Sequence, residues 1–159
     1  MASGAGMALD EELASFLEEP VMIIVGTQAD GCLPEIARAA GAVLDADRTV
    51  LHLMVSAWQW PETIVNLRVN GRVAVTFSRP ADYETYQLKG TVTAIAPPTL
   101  EQQARANRYV AEIGEILAGF GLSQDISAPW RVVRDLVALR FVPEEVFIQT
   151  PGASAGRKR

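Results

Sequence analysis

Hydrophobic positions along the chain change period several times, and each change predicts an element boundary. Leu9, Leu13, Phe16 and Leu17 recur at helical spacing, with Asp10 as N-cap, acids in the first turn and Pro20 as the stop. VMIIVGT (21–27) reads as a short buried strand, followed by the turn pair Asp30-Gly31. A second strand is expected over 35–44, and VLHLMVS (50–56) is a third, with Leu51, Leu53 and Val55 on one face and His52, Met54 and Ser56 on the other. WPETIVNLRVNG (60–71) returns to helical spacing through Ile64 and Leu67, with Pro61 suited to the first helical position and Gly71 to the C-terminal cap. RVAVTFS (72–78) is a fourth strand.

YETYQLKGTVTAIA (83–96) is a fifth strand, and its alternation is unusually clean. Tyr86, Leu88, Gly90, Val92 and Ala94 fall on one face; Thr85, Gln87, Lys89, Thr91 and Thr93 fall on the other. That polar row faces either water or a bound molecule. Residues 97–121 predict the longest helix, with a Thr99/Gln102 capping box and Gly121 as the stop. Residues 130–150 supply a sixth strand and a short seventh element. The first three strands are joined by turns, not helices, which argues against a doubly wound parallel sheet. The expected architecture is mainly β with helices (α+β): an antiparallel sheet curled into a small barrel with helices outside it. Residues 1–150 read as a single domain and PGASAGRKR (151–159) as a flexible basic tail.

Composition narrows the chemistry. With 49% hydrophobic and 21% charged residues, the 159-residue chain suits one globular domain and not a disordered segment. A net charge of −5 gives no general reason to expect a nucleic-acid partner. The lone Cys32 excludes an intrachain disulfide framework, and the lone His52 leaves no His/Cys cluster for a metal. Neither a secretory leader in MASGAGMALDEE nor an apolar run of about 18 residues is found, so no membrane partner and a cytoplasmic location are expected.

NLRVNGRVAVTFSRPADYETYQLKG, preceded by GCLPEIARAAG and LHLMVSAW, resembles the pyridoxamine 5′-phosphate oxidase-like family of flavin-binding split barrels, and DLVALRFVPEEVFIQTPG resembles a member's closing strands. The resemblance implies a six-stranded antiparallel split β-barrel and a homodimer with flavin mononucleotide (FMN) in clefts between subunits. It implies cofactor contacts at Arg38 and Ala39 on the second strand, at Ser56, Ala57 and Trp58 after the third, at Thr63 at the helix start, and at Gln87 and Lys89 on the fifth. The activity it implies is flavin-dependent oxidation or reduction of a small molecule, with a nicotinamide as electron donor. Catalytic side chains are not assigned, because the isoalloxazine carries the redox step. The alternatives are a deazaflavin-dependent reductase, a non-catalytic dimer that binds flavin or haem, and a dimeric interaction module with no cofactor.

The sequence departs from that family at the helix start, where the oxidase has a basic pair and this chain has Glu62 and Thr63. A carboxylate there repels a phosphate, although Thr63, the helix N-terminus and Lys89 all offer donors. Nothing resembles the oxidase's C-terminal substrate-binding segment, so oxidation of pyridoxamine phosphate itself is not expected. Plainer readings stand beside the functional ones. Arg38 would equally suit an ion pair with Glu35 or Asp45, and Gln87 and Lys89 a solvated face. Ser56 would equally end its strand, and Trp58 and Trp60 would pack over a core edge or a dimer seam.

Overall fold

The computed structural model describes residues 6–159; the first five residues of the N-terminal stretch read for a leader lie outside them. Helix α1 (Glu11–Glu18) starts where expected, with the Asp10 side chain accepting from the Leu13 amide at 2.9 Å. Strands β1 (Met22–Thr27), β2 (Glu35–Leu44) and β3 (Leu51–Ser56) follow, then helix α2 (Pro61–Asn70) and strands β4 (Arg72–Ser78) and β5 (Thr85–Ala96). Helix α3 (Leu100–Gly119) carries the Thr99/Gln102 capping box, and the chain ends in strand β6 (Leu136–Ile148). All strand pairs are antiparallel, and the six strands close into a barrel in the order β1-β2-β3-β6-β5-β4.

The barrel interior is filled from every strand: Val25, Ala37, Leu53, Val75, Leu88 and Leu139 are each essentially inaccessible to solvent. Alternation along each strand sends one row into this core and leaves the other on the outer surface. α3 covers the outer side of β2, where the strand is built of small residues and bulges between Ala39 and Ala42. Gly41 at this bulge has φ 112°, and a Cβ there would press on Tyr109 and Met54. The Tyr109 hydroxyl crosses to α1's exit and donates to the Val21 carbonyl at 2.6 Å. α2 closes one end of the barrel, Asn66 donating to the Thr27 hydroxyl at 3.2 Å and Asn70 to the Gln28 carbonyl at 2.9 Å.

Three features differ from the sequence expectations. The sixth strand and the short seventh element are one continuous strand, β6, which tolerates Pro143 because the ladder to β5 bulges between Lys89 and Gly90. Residues 130–135, expected to open that strand, instead form a 3-10 turn (Ala128–Trp130), preceded by the short helix α4 (Gln124–Ser127), and a loop. Alternation on β5 also breaks at the second bulge, between Val92 and Ala94, so that Ala94 is exposed. The last residues of the tail lie against the barrel: Arg159 N donates to the Val146 carbonyl and Ile148 N to the Arg157 carbonyl, both at 2.8 Å. Lys158 pairs with Glu145 at 2.9 Å, and Arg159 with Asp10 and Glu12 at 3.0 and 3.1 Å. Among the described residues no helix is long and apolar enough to cross a membrane.

Two substitutions test this packing. Gly90 faces Pro143 at the bulge, and a Cβ there would collide with the Val142 carbonyl oxygen. Gly90→Ala is expected to lower stability by about 2–3 kcal/mol in urea unfolding. Burial pushes the Tyr109 hydroxyl's pKa well above its ordinary value, so the folded chain holds this proton where the unfolded chain has lost it. The contribution is fully present below pH ~10 and is lost as pH rises beyond the unfolded value. Tyr109→Phe should therefore cost ~1 kcal/mol at neutral pH, from the lost bond to Val21, and show a shallower loss of stability above pH ~10 than the parent.

Candidate functional site

Lateral pairing places the outward residues of five strands in rows. Arg38 on β2 pairs with Ile24 on β1, Ile24 with Thr76 on β4, Thr76 with Gln87 on β5, and Gln87 with Phe147 on β6. The next row runs Ile36, Gly26, Ala74, Lys89, Glu145. Directly paired residues point to the same face, so residues far apart in sequence share one outer surface. Arg38 and Gln87 stand three strand spacings apart, about 14 Å. On that surface Gln87 Nε2 donates to the Thr76 hydroxyl at 3.2 Å, and Lys89 Nζ sits 4.9 Å from the Phe147 ring centre. Glu145 is held below the usual carboxylate range by its bond to Lys158, with a weaker contribution from Lys89.

A groove of about 530 Å³ opens over the second row, with Gly26 and Ala74 in it and Lys89, Thr91, Arg72 and Gln28 along its sides. Arg72 is already engaged by Asp30 at 2.7 Å and Thr91 by Glu144 at 3.0 Å. Lys89 is the groove's one exposed cation on the strand row singled out from the sequence.

The other end of the surface is built around the turn between β3 and α2. Arg38 is half-buried, and its guanidinium carbon lies over the Trp130 ring, 4.6 Å from its centre. Burial lowers its pKa, and the neighbouring Tyr109 partly offsets that. The ion pair with Glu35 or Asp45 does not form; Asp45 instead meets His52 Nε2 at 3.0 Å, and among the described residues no carboxylate lies within 4.0 Å of Arg38. Ala39 pairs with Val55, so the register puts Arg38 beside Ser56. Ser56 is buried; its hydroxyl donates to the Arg134 carbonyl at 2.7 Å and accepts from Gln59 N at 3.1 Å. Ala57 N donates to the Asp135 carbonyl at 2.9 Å. Trp58 is exposed, with the Arg134 guanidinium 4.3 Å above its ring centre, while Trp60 packs against the core.

The structure thus brings Arg38, Ser56, Ala57 and Trp58 together and sets Gln87 and Lys89 on the same outer surface. It separates the remaining two from that surface. The Ala39 side chain faces into the barrel and is 2% exposed, and Thr63, in the first turn of α2, is also 2% exposed. Glu62 beside it is exposed, and the first-turn amides of α2 have no intrahelical acceptor. Sequence reasoning missed Trp130, Arg134 and Phe147. The tryptophan next to proline in SAPWRVVRD was the available signal for the first; the others follow only from register and loop path.

Six antiparallel strands closed into a barrel, with a polar and cationic row on the outside, define a split-barrel protein. The profile of the pyridoxamine 5′-phosphate oxidase family matches residues 9–150, and the chain belongs to that family. No curated protein matches the sequence. Among solved structures, the chain is similar to HupZ of Group A Streptococcus at 18% identity and a TM-score of 0.57, covering 93% of this chain and 99% of that one. It is similar to a protein related to general stress protein 26 from Clostridium acetobutylicum at 18% identity and a TM-score of 0.55, covering 94% and 96%. A structure described as an F420 reductase is similar at 16% identity and a TM-score of 0.53, covering 87% and 98%. At these identities the likeness is one of fold.

The burial of Thr63 and the exposure of Glu62 set the expected effects of substitution at the start of α2. Thr63→Lys forces an ammonium into a site that is 2% exposed and should cost at least about 2 kcal/mol in thermal or urea unfolding. Glu62→Gln, at an exposed position, should stay within about 0.5 kcal/mol of the parent.

Proposed function

We propose that the protein binds FMN on this outer surface and acts as a flavin-dependent oxidoreductase on a small molecule, as a homodimer taking electrons from a nicotinamide. The observation that carries the reading is Arg38: a half-buried cation, desolvated and without a carboxylate partner among the described residues, at the end of a polar row on a grooved surface. A desolvated guanidinium with free in-plane donors suits a phosphate, which it binds through two parallel bonds. The residues present therefore fit a phosphorylated cofactor.

When bound, the flavin supplies the hydride or electron transfer. Arg38 would hold its phosphate, and the Trp130 face keeps the guanidinium plane fixed while it does so. Gly26 and Ala74 leave a low floor in the groove on which a planar ring would lie, walled by Lys89 on one side. Gln87 is oriented by its bond to Thr76, which leaves its carbonyl oxygen free to accept a proton donor from the ring. Dimerisation would shield this open surface from water. The exposed apolar side chains Leu33, Ile36, Trp58, Val65 and Val69 support it, since an obligate interface buries about 2,000 Å² or more of largely apolar area. Against haem stands the position of the single histidine, on β3 and bonded to Asp45, neither of which lines the groove. A deazaflavin has a similar ring, and the neighbour described as an F420 reductase makes it the nearest variant of this reading.

The test is titration of the purified protein with FMN and riboflavin, followed by fluorescence quenching, beside its absorption spectrum and its sedimentation. Oxidised-flavin absorption bands, a dimer, and FMN binding that Arg38→Gln weakens by about tenfold or more are expected. A protein that binds neither flavin, or that stays monomeric while binding none, removes the proposal.

A further inference from the structure

The turn between β3 and α2 carries a second stacked arginine that the resemblance does not anticipate. Arg38 lies on Trp130 and Arg134 lies on Trp58, at 4.6 and 4.3 Å from the ring centres. A guanidinium held over a ring by its charge still has its N–H donors to offer a ligand. Among the described residues neither group has a carboxylate within 4.0 Å, whereas Arg79 meets Glu19, Asp82 and Glu84, and Arg159 meets Asp10 and Glu12. Arg105, Arg131 and Arg140 also lack a carboxylate, but their side chains donate to carbonyl or hydroxyl oxygens, whereas among the described residues the side chains of Arg38 and Arg134 donate to none.

Both are anchored to the same short turn. Ser56, beside Arg38 in the β2–β3 register, donates its hydroxyl to the Arg134 carbonyl at 2.7 Å. Ala57 N holds the Asp135 carbonyl at 2.9 Å, and Gln59 Nε2 holds the Pro129 carbonyl, next to Trp130, at 2.7 Å. Asp135 adopts a left-handed conformation, φ 51°, which an aspartate accepts more readily than most residues and which fixes the path from Arg134 into β6. Trp58 is 53% exposed, so the Arg134–Trp58 stack stands at the surface where a ligand can reach it. α2, which begins at this turn, carries the exposed Glu62 in its first turn and has no basic residue there. A dianion docking beside the start of α2 is repelled by that carboxylate, and a further cation at the turn offsets the repulsion.

We propose that Arg134 is a second phosphate-binding residue of this protein, acting with Arg38 across the Ser56–Gln59 turn. Together the two select a phosphate monoester over the same ligand without its phosphate. The inference rests on the reading that a phosphorylated cofactor docks at this end of the barrel. It assigns the charge that offsets Glu62 to the loop before β6 instead of to α2.

Arg134 is exposed, so Arg134→Gln is expected to fold with an unchanged melting temperature. It should weaken FMN by about tenfold or more, leave riboflavin within about twofold, and make FMN affinity less dependent on salt. If both arginines meet one phosphate, the effects of Arg38→Gln and Arg134→Gln on FMN are not additive in a double-mutant cycle. Trp58→Leu, which removes the stack but keeps the charge, should give a smaller loss. Equal FMN affinity in the parent and Arg134→Gln overturns this inference and leaves the flavin reading standing. Should the parent bind neither flavin, the flavin reading fails, and inorganic phosphate decides the site by itself. A thermal shift with phosphate in the parent that Arg134→Gln reduces supports the paired arginines, and no shift, or one that Arg134→Gln leaves intact, overturns them.

Discussion

Everything on the outer surface depends on the ladder in which β1 is held between β2 and β4. β1 pairs with β2 through Ile24 and Arg38 and with β4 through Ile24 and Thr76, so one short strand sets the register of both neighbours. A slip of one residue in either ladder would turn Arg38 or Thr76 into the barrel and bring a core residue out. The core prevents that slip, because Ile23 and Val25 are fully enclosed and their alternation with Ile24 leaves only one register that buries them. Packing inside the barrel is thus what aims the polar residues outside it.

Helices and turns were legible in the sequence because their signals are local. Asp10, the Thr99/Gln102 box, Pro61 and Gly71 each act within one turn of chain, and each does in the structure what its type predicts. The barrel class was legible from the turn-linked strands and from the family pattern, and the structure bears it out. The two bulges facing β6 were not legible, since a bulge is a property of a strand pair and depends on a partner some fifty residues away.

The candidate site divides along the same line. Arg38, Gln87 and Lys89 lie on one surface, as strand alternation implies once the pairs are known. Ala39 and Thr63 were placed by motif position, and motif position does not report which way a side chain faces: Ala39 points inward by alternation, and Thr63 lies on the buried side of α2 with Ile64 and Leu67. Trp130 and Arg134 come from a stretch whose hydrophobic pattern reads as a strand. The 3-10 turn and the left-handed Asp135 override that pattern, and they do so through hydrogen bonds to the β3–α2 turn that no local signal encodes.

The barrel closes where β3 meets β6, through pairs such as Ser56 with Leu136 and Leu51 with Phe141. These partners are the most distant in sequence of any strand pair here, and a chain must bear the entropy of closing that long loop before the contacts form. Folding kinetics of such a topology fall toward the slow end for a domain of this size. The Ser56–Arg134 bond sits at the edge of this seam, so a molecule gripping that edge would hold together the two strands most distant in sequence. Its occupancy would then be felt as a slower rate of opening, and the lifetime of the folded barrel would follow the supply of that molecule in the surroundings.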